Sequence, residues 1–498
     1  MSAMIRYLSV VLLFSYFSST AQLRVAAHFS DNMVLQRDKP LVVSGTGVPS
    51  KIVKASIASS FVQSVIGPDG KWKIELPPMK ASNDPVILRL IMEEEVIQYD
   101  NILIGDVWLC IGQSNMEWPM SREMHWKDAQ MSANQPMIRL LNPPPAGRNV
   151  YNQKFGDSLL QRLNVEKFYS WNGWKEATPA SVADMSAVAY YFGRRIRASV
   201  DVPIGLINLS IGGAPLESFI GVDALTTDSV FRRKADGLWL TNPELPIWIR
   251  QRGLQNLDQV THMYGDENGP NHAFKPGFAY RSGVLPLSDF PITGVLIYQG
   301  ESNAEEKERV DEYGRLFALM VDQYRQNWAA PDLPFYWVQL SSIDRLHWPL
   351  FRDEQRKLLQ RIANSGMAVS SDHGLRMDVH PTNKKVVGER LARWALRNVY
   401  HQKIIPSGPL PTRVFFRSKK VVIKFNYASG LTTSDGNPLK EFSIDGSTTV
   451  PAVIRRKKVV VPVKEKPVGV WYGWKPFSEG NLVNKEGLPA STFYFPID

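Results

Sequence analysis

Five continuous apolar runs set the strongest limit on what this chain can fold into. The runs are DVWLCI (106–111), PIGLINLSI (203–211), ITGVLIYQ (292–299), LPFYWVQL (333–340) and GMAVSS (366–371). The segments between them, such as ERVDEYGRLFALMVDQYRQNW (308–328), place apolar residues at helical spacing on one face. Strands buried on both faces alternate with covering helices in this way. The sequence therefore predicts an α/β fold with a parallel sheet in a three-layer α/β/α core.

Both flanks of this core favour short strands instead. Strand-like runs separated by Gly, Pro, Asn and Asp turn signals fill the two ends of the chain. The sequence predicts an N-terminal β-sandwich-like domain over 22–102, the α/β domain over 103–402 and a C-terminal β module over 403–498. Residues 220–290 lack a clear period, which leaves two readings open: an insertion that lines a binding face, or a surface excursion.

Residues 1–21 combine one Arg, an apolar stretch from Tyr7 to Phe17 and small residues that end at Ala21. The stretch is shorter than the roughly 20 residues that a membrane-spanning helix needs, and it is typical of a cleaved signal peptide. We therefore expect a secreted or periplasmic protein with no membrane insertion after the signal is removed. The chain has one cysteine, Cys110, which excludes an internal disulfide.

The chain is basic, with 58 Lys and Arg against 48 Asp and Glu and a formal net charge of +10. Such a balance fits acidic glycans, anionic surfaces or nucleic acid. The densest basic runs, RSKKVVIKF (417–425) and RRKKVVVPVK (455–464), alternate with β-branched residues and are typical of strands with one solvated basic face. Because the other basic residues are scattered, we predict no nucleic-acid partner.

Polar and glycine residues follow four of the apolar runs, at the sheet edge where ligands bind in doubly wound folds. These segments are Gly-Gln-Ser-Asn (112–115), Gly-Gly (212–213), Gly-Glu-Ser-Asn (300–303) and DHGLRMDVHP (372–381). Together they hold a hydroxyl, glycine amides, a side-chain amide and histidines beside carboxylates. Acyl transfer through a serine needs a nucleophile, a base, an orienting acid and N–H donors for the oxyanion. The combination therefore predicts a catalytic serine site.

Each of these residues also has an ordinary structural explanation. Ser114 fits a helix N-cap, Gly212–Gly213 fits a tight turn and Asn303 fits a turn residue. His373 and His380, with the aspartates beside them, also suggest metal ligands, but the loop-like composition argues against a helix there and no third His or Cys lies nearby. The catalytic interpretation is favoured because the four segments together supply a nucleophile, a base, an acid and N–H donors, which separate structural explanations do not account for.

Four blocks carry a resemblance to a known family. GDVWLCIGQSNMEWPM, GLINLSIGGAPLESFI, GVLIYQGESNA and DVHPTNKKVVGERLA resemble the conserved blocks of SGNH hydrolases, and more closely those of the sialate O-acetylesterase family and its acetylesterase relatives. HFSDNMVLQRDKPLVVSGTG near the start and NLVNKEGLPASTFYF near the end look like the same family. The resemblance implies an SGNH-type core and a cofactor-free enzyme that removes O-acetyl groups from sugars, notably sialic acids.

The resemblance also implies a role for each matched residue. Ser114 would be the nucleophile and His380 the general base. The oxyanion hole would combine the Ser114 amide, the Gly213 amide and the Asn303 side chain. Gln113 is a further candidate for substrate contact or support.

The orienting acid is the point at which this chain departs from the superfamily. The acid normally stands three residues before the histidine, where this chain has Met377. Asp378, two residues before the histidine, is ranked first because residues two apart on an extended chain point the same way. Asp372, Glu301 and a backbone carbonyl remain alternatives.

We therefore expect a secreted serine carbohydrate esterase that acts through an acetyl-enzyme on Ser114, with a sialate O-acetyl ester as the first candidate substrate. Gln299, Glu301 and Arg352 are expected to contact substrate or support the site. One alternative is an acetylesterase for xylan- or pectin-type plant polysaccharide. Another, of a different class, is a non-catalytic glycan-binding protein that uses the β modules and the Trp-rich residues 220–290. No metal or other cofactor is expected.

Overall fold

A computed structural model describes residues 22–257 and 264–497. The predicted signal peptide, residues 1–21, lies outside these residues. Among the helices of the described ranges, none is long and apolar enough to cross a membrane.

The N-terminal strands form a separate three-stranded sheet and a mainly antiparallel extension of the central sheet. They are β1 (Arg24–Val25), β2 (Val34–Gln36), β3 (Leu41–Thr46), β4 (Ile52–Ile57), β5 (Ser60–Val65), β6 (Lys71–Leu76), β7 (Ser82–Met92) and β8 (Glu95–Gly112). β3 pairs with β1 and β6, while β4 pairs with β5 and β7. The first half of β8 pairs with β7 and the second half enters the central sheet. β8 thus continues past residue 102, and the division of domains there stays a prediction.

The central sheet is almost entirely parallel. Its further strands are β9 (Gln135–Leu141), β10 (Lys175–Ala177), β11 (Ile204–Asn208), β14 (Gly294–Tyr298), β15 (Phe335–Gln339) and β16 (Ser365–Val369), while β12 (Gly265–Asp266) and β13 (Gly269–Pro270) form a separate hairpin. The order is β10-β9-β11-β8-β14-β15-β16. Only the edge pair of β10 with β9 is antiparallel along this path. The predicted α/β class with a parallel core sheet is confirmed.

Helices cover both faces of this sheet. They are α1 (Ser114–Glu117), α2 (Trp126–Ala129), α3 (Asp157–Leu160), α4 (Pro179–Ala183), α5 (Ala187–Arg197), α6 (Val222–Thr227), α7 (Arg232–Ala235), α8 (Ile247–Leu257), α9 (Lys307–Asn327), α10 (Trp348–Arg361) and α11 (Lys385–Asn398). Adjacent residues of a strand point to opposite faces. Tyr336 of β15 stacks on Trp108, which packs against α5, whereas Trp337 packs against Phe317 of α9. Helices α5 and α9 therefore lie on opposite faces, as a three-layer core requires.

The C-terminal residues form a β-rich region with its own apolar core. Its strands are β17 (Leu410–Arg417), β18 (Lys420–Asn426), β19 (Thr432–Thr433), β20 (Phe442–Ser443), β21 (Val453–Arg455), β22 (Lys458–Pro462), β23 (Gly469–Tyr472), β24 (Leu482–Val483) and β25 (Phe493–Pro496). The sheet β17-β18-β22-β21 packs one face on that core.

The strand order points to one end of β8. Strand β8 lies between β11 and β14, so β9 to β11 extend the sheet toward one edge and β14 to β16 extend it toward the other. Ligands bind at the carboxyl end of such a strand. The site is therefore expected directly after Gly112.

Candidate active site

Ser114 stands at this carboxyl end of β8. Gly112, the last residue of the strand, has a φ of 138°, and a Cβ atom there would lie 2.1 Å from the carbonyl oxygen of Tyr298. The close approach of the two strands therefore requires glycine. Gln113 is the N-cap of α1, and no side chain caps that helix. The N-cap explanation for Ser114 does not hold, since Ser114 is already the first helical residue.

His380 faces the serine hydroxyl across the cavity. Its Nε2 atom lies 2.8 Å from Ser114 Oγ. Its Nδ1 atom lies 3.3 Å from Asp378 Oδ1, and the same carboxylate oxygen accepts the His380 backbone N–H at 2.9 Å. The side chain of Asp378 is 60% exposed. The three residues are thus brought together in the order nucleophile, base and acid.

The surroundings of His380 favour its neutral form. Burial lowers the pKa of the imidazole below its ordinary value, and the positive charge of Lys384 lowers it further, whereas Asp378 raises it. Trp118 stacks on the imidazole with ring centroids 5.5 Å apart, and Arg122 lies 4.2 Å above the Trp118 ring. A neutral imidazole is able to accept the serine proton, as a general base must.

A buried polar network lies beneath the serine and histidine. Asn115 Nδ2 donates to Glu301 and, at 2.9 Å, to the carbonyl oxygen of Val379, the residue before His380. Asn115 Oδ1 accepts from Lys384 Nζ. Burial raises the pKa of Glu301 and lowers that of Lys384, because each charge is costly in this interior. Glu301 therefore supports the site through Asn115 and does not contact the His380 ring.

Asn303 lies below the cavity rather than on its wall. Its side chain is fully buried, and its Oδ1 atom accepts from the backbone N–H of Leu216 at 3.1 Å and from Gln299 Nε2 at 2.7 Å. Its Nδ2 atom donates to Glu217 at 3.1 Å. The structure therefore does not bring Asn303 to the serine as an oxyanion donor, because its amide is used to hold the loop after Gly213.

Gln113 presents an amide group beside Ser114 instead. Its Oε1 atom accepts from the backbone N–H groups of Gly300 and Ser302, at 3.3 and 3.2 Å, and from Gln299 Nε2 at 3.3 Å. Two backbone donors on the oxygen fix the orientation of the amide. Its Nε2 atom has no hydrogen-bond partner among the described residues, and the residue lines the cavity.

The Gly213 backbone also faces this space. Gly213 has a φ of 76°, a conformation that glycine adopts readily, and it lines the cavity. Ser302 Oγ donates to its carbonyl oxygen at 2.9 Å and holds the peptide in place. Within the described ranges, the backbone N–H groups of Gly213 and Ser114 have no hydrogen-bond acceptor.

Two predicted candidates lie elsewhere. Arg352 is fully buried, donates to the carbonyl oxygens of Gly473, Lys475 and Pro476, and does not line the cavity. Asp372 forms two 2.7 Å hydrogen bonds with Arg390 on α11 and does not approach the base.

The cavity has a volume of about 1000 Å³ and combines aromatic with charged walls. Its lining includes the rings of Trp118, Tyr151 and Trp248 and the cations Arg122, Arg148 and Arg345. Trp248 belongs to the segment 220–290, so at least this part of it lines the cavity. Arg148 pairs with Glu117 and Arg345 with Glu305, whereas Arg122 has no carboxylate partner in the described part of the chain. Over the same residues, no three His, Cys, Asp or Glu side chains are grouped as metal ligands would be.

Sequence reasoning missed Asn115 and Lys384. Both stand inside quoted blocks, directly after Ser114 and four residues after His380. Their role depends on the meeting of two loops that are far apart in sequence, and no local pattern signals it. The available sign in the sequence was Lys384, a lysine that stands at the start of the otherwise apolar face of α11.

The chain is similar to carbohydrate acetylesterases over most of its length. The family model for carbohydrate esterases, sialic acid-specific acetylesterase, matches residues 281–397. The sialate O-acetylesterases of Homo sapiens and Rattus norvegicus are 26% and 25% identical over 442 and 456 residues, which is 81% of this chain in each case and 76% and 79% of the relatives. A crystal structure of a carbohydrate acetylesterase from Xanthomonas citri has 30% identity and a TM-score of 0.77, and the match covers 95% of this chain and 99% of that one.

Proposed function

Because the chain belongs to the sialate O-acetylesterase family of carbohydrate acetylesterases, we propose that it hydrolyses O-acetyl esters of sugars through an acetyl-enzyme on Ser114. The predicted enzyme class, a carboxylic ester hydrolase for acetylated carbohydrate, is confirmed by this membership. One observation carries the proposed mechanism: the 2.8 Å distance between Ser114 Oγ and His380 Nε2 at a cavity large enough for a sugar.

The reaction proceeds in two halves. His380 Nε2 takes the Ser114 proton while Oγ attacks the acetyl carbonyl carbon. The tetrahedral intermediate collapses, the bond to the sugar oxygen breaks, and His380 returns the proton to that oxygen. Water then attacks the acetyl-enzyme with His380 again as the base, and acetate leaves as Ser114 regains its proton.

The oxyanion of each intermediate needs hydrogen-bond donors that are in place beforehand. We assign this role to the backbone N–H groups of Ser114 and Gly213 and to Gln113 Nε2. All three line or border the cavity and lack other acceptors in the described structure. Asn303 acts indirectly by holding the backbone N–H of Leu216 and so the shape of the Gly213 loop.

Asp378 is the proposed orienting acid. Its carboxylate lies near His380 Nδ1 and keeps the ring turned so that Nε2 faces the serine. Because the carboxylate is 60% exposed, its charge is screened by solvent and its contribution is smaller than that of a buried acid.

We propose a carboxylated sugar as substrate, with sialate esters as the first candidate. Arg122 supports this choice, because its guanidinium lies on the Trp118 ring at the cavity without a carboxylate partner. A pectin-type polysaccharide also carries carboxylates and is the second candidate. Neutral xylan has no carboxylate with which Arg122 could pair. The apolar segment within residues 1–21 supports a secreted or periplasmic location.

Ser114→Ala tests the nucleophile. We expect hydrolysis of p-nitrophenyl acetate to fall on the order of 10⁴-fold or more, and labelling by a serine-directed fluorophosphonate to disappear. Ser121→Ala is the matched control, since Ser121 lines the same cavity and should keep both properties. Full activity of Ser114→Ala would contradict the mechanism, and absence of labelling in the unaltered protein would favour a non-catalytic glycan-binding protein.

The sugar is tested by acetate release from acetylated sialosides, acetylated pectin and acetylated xylan. We expect Arg122→Gln to raise KM for the carboxylated substrates while hydrolysis of p-nitrophenyl acetate, assayed well above pH 6.5 where His380 is neutral, changes little. Preference for xylan, or an equal effect of Arg122→Gln on all three substrates, would refute the choice of a carboxylated sugar and leave the esterase mechanism intact.

A further inference from the structure

The structure places the two densest basic runs of the sequence side by side. The first run contributes β18 and the second β22, and these two strands pair antiparallel at the centre of the sheet β17-β18-β22-β21. Arg413 on β17 pairs with Lys424, Lys424 pairs with Lys458, and Lys458 pairs with Arg455. These four residues, here called the basic row, cross the whole sheet in register. Neighbouring strands lie roughly 4.8 Å apart, so the row spans roughly 15 Å.

The basic row lies on the outer face of the sheet. The alternate side chains of the same strands, among them Val421, Ile423, Val459 and Val461, are fully buried in the C-terminal core. Because side chains alternate between faces, the row points away from that core. Arg413, Lys458 and Arg455 are exposed and Lys424 is half-buried.

An apolar row runs beside it on the same face. Phe415 pairs with Val422, Val422 with Val460, and Val460 with Val453. Arg413 and Lys424 lie 5.6 and 5.7 Å from the centre of the Phe415 ring. The next register position again pairs two cations, Arg417 and Lys420. The face is therefore a striped surface of charged and apolar rows.

No carboxylate in the described structure neutralises the basic row. Like charges directly opposite each other on neighbouring strands destabilise a sheet. Placing four cations in register therefore lowers the stability of this sheet. Such a cost is typical of residues that serve binding.

We propose that the basic row and the apolar row form a docking surface for a linear polysaccharide that carries carboxylates. A line of cations at one strand spacing complements a polymer with regularly repeated negative charge. The apolar row, and Phe415 in particular, offers a surface for the C–H faces of sugar rings. The sheet would hold the polymer whose acetyl esters are the substrates under the proposed function, on which this role rests.

The same features disfavour other anions. Sequence-specific recognition of nucleic acid uses polar side chains that reach base edges, and single-strand binding uses aromatic rings on which several bases stack, whereas this face has one aromatic ring. Binding to an anionic membrane uses exposed bulky apolar groups that enter the lipid, whereas three members of the apolar row are valines. The residues of the row do not line the catalytic cavity, so docking is separable from the proposed esterase chemistry.

The test uses the full-length protein and replaces the basic row by glutamine. The row variant carries Arg413→Gln, Lys424→Gln, Arg455→Gln and Lys458→Gln. The matched control removes the same charge from exposed lysines scattered over the chain, as Lys54→Gln, Lys127→Gln, Lys175→Gln and Lys403→Gln. A third variant carries only Lys424→Gln and Lys458→Gln. Hydrolysis of p-nitrophenyl acetate and thermal melting check that each variant is folded.

Affinity is measured by calorimetry against polygalacturonate at low ionic strength. We expect the row variant to bind about 10-fold or more weakly, the double variant to lie between it and the unaltered protein, and the control to lose less than about 3-fold. Added salt should weaken binding of the unaltered protein more than that of the row variant. Neutral xylan should bind equally to all variants.

Three results would overturn the proposal. The first is equal loss in the row variant and the scattered control, which would mean that only net charge matters. The second is unchanged affinity of the row variant for polygalacturonate. The third is row-dependent binding of duplex DNA or of vesicles that contain phosphatidylserine without row-dependent binding of polygalacturonate, which would assign the surface to another partner.

Discussion

Neighbouring groups shift the pKa of His380 in opposite directions and so determine the pH range in which it acts as a base. Burial and the positive charge of Lys384 lower its pKa, while Asp378 raises it. Arg122, stacked on the neighbouring Trp118, adds a smaller lowering effect. The net direction is downward from the ordinary value of 6.5, so more than half of the imidazole is neutral at that pH and the neutral fraction grows above it.

The lowered pKa of His380 predicts the acid limb of the pH profile, which is the pH range where activity falls as the solution becomes more acidic. We expect the midpoint of the acid limb of kcat/KM to lie below pH 6.5, where His380 becomes protonated. In Asp378→Asn the raising influence is lost, so the limb should move to lower pH while kcat decreases. The decrease should be smaller than the roughly 10⁴-fold typical of a buried triad acid, because Asp378 is largely exposed.

Asp372→Asn is the control for that profile, because Asp372 pairs with Arg390 instead of the base. It should leave the acid limb in place. A limb that moves upward in Asp378→Asn, or moves only in Asp372→Asn, would show that the assignment of the acid is wrong.

The oxyanion donor is decided by comparing Gln113 with Asn303. Gln113→Ala should lower kcat about 100-fold or more at temperatures where the variant is folded, because it removes a proposed oxyanion donor. Its melting temperature should fall as well, because the backbone N–H groups of Gly300 and Ser302 lose their acceptor. Asn303→Ala should lower the melting temperature with little change in kcat, because it leaves the backbone N–H of Leu216 and a carboxylate oxygen of Glu217 without their partner. Kinetics and thermal melting of both variants measure the two effects. A large kcat loss in Asn303→Ala at unchanged stability would restore the original assignment.

At the scale of elements, the loop after β11 is held by one buried carboxylate. Glu217 accepts from Arg309 of α9 at 3.0 and 3.1 Å and from Lys234 of α7 at 3.1 Å. It also accepts from Asn303. Burial alone would raise its pKa, but the two cations outweigh burial and hold the pKa well below its ordinary value of 4.5. Glu217 therefore connects helix α9, helix α7 and the segment that carries Asn303 to the loop that carries Gly213.

Glu217→Gln should therefore destabilise the protein by roughly 3–5 kcal/mol, because it leaves the buried Arg309 with a neutral partner and leaves Lys234 with Glu312 as its carboxylate partner. The stabilisation is fully present above the unfolded pKa of about 4.5 and is lost as pH falls toward the lower folded pKa. The variant should consequently differ most from the unaltered protein at neutral pH and less in acid. Denaturant unfolding at several pH values measures this.

Glu308→Gln, at an exposed position of the same helix α9, is the control and should change stability by less than about 0.5 kcal/mol. A difference between Glu217→Gln and the unaltered protein that grows as pH falls would contradict the sign argued above.

Strand β9 shows why one element escaped the sequence prediction. It begins beside Pro136 and carries Arg139, which is 1% exposed, so it does not read as a continuous apolar run. Arg139 is buried because its guanidinium donates to the carbonyl oxygen of Pro136 and to Asn32 and Asn101. Asn101 and Asn32 lie 38 and 107 residues earlier in the chain, so a local pattern gives no sign of them.

At the scale of the whole molecule, Arg352 joins the α/β core to the C-terminal region. From α10 it donates to Ser342 at 3.1 Å and to the carbonyl oxygens of Gly473, Lys475 and Pro476. The guanidinium is fully buried and has no carboxylate in hydrogen-bond contact among the residues that the structure describes, and burial lowers its pKa to about 10. Its role is to satisfy buried carbonyl groups where the two regions meet.

Arg352→Met should lower the free energy of unfolding by about 3 kcal/mol or more, because several buried carbonyl oxygens lose their donor. Activity toward p-nitrophenyl acetate should remain at temperatures where the variant is folded, since Arg352 does not line the cavity. Arg361→Met, at a half-exposed position of the same helix, should have a small effect. Loss of activity without loss of stability would return Arg352 to the substrate site.

The sequence by itself determined the α/β class, the family and the neighbourhood of Ser114 and His380. Apolar runs of strand length and helical periodicity are local properties, and the polar residues after each strand meet because parallel strands end at one sheet edge. Only the tertiary structure decided which neighbours those residues have: Asn115 and Lys384 beneath the base, Asn303 turned toward Glu217 and the four cations of the basic row in register. These contacts join distant residues through strand register and side-chain packing, which no local pattern specifies.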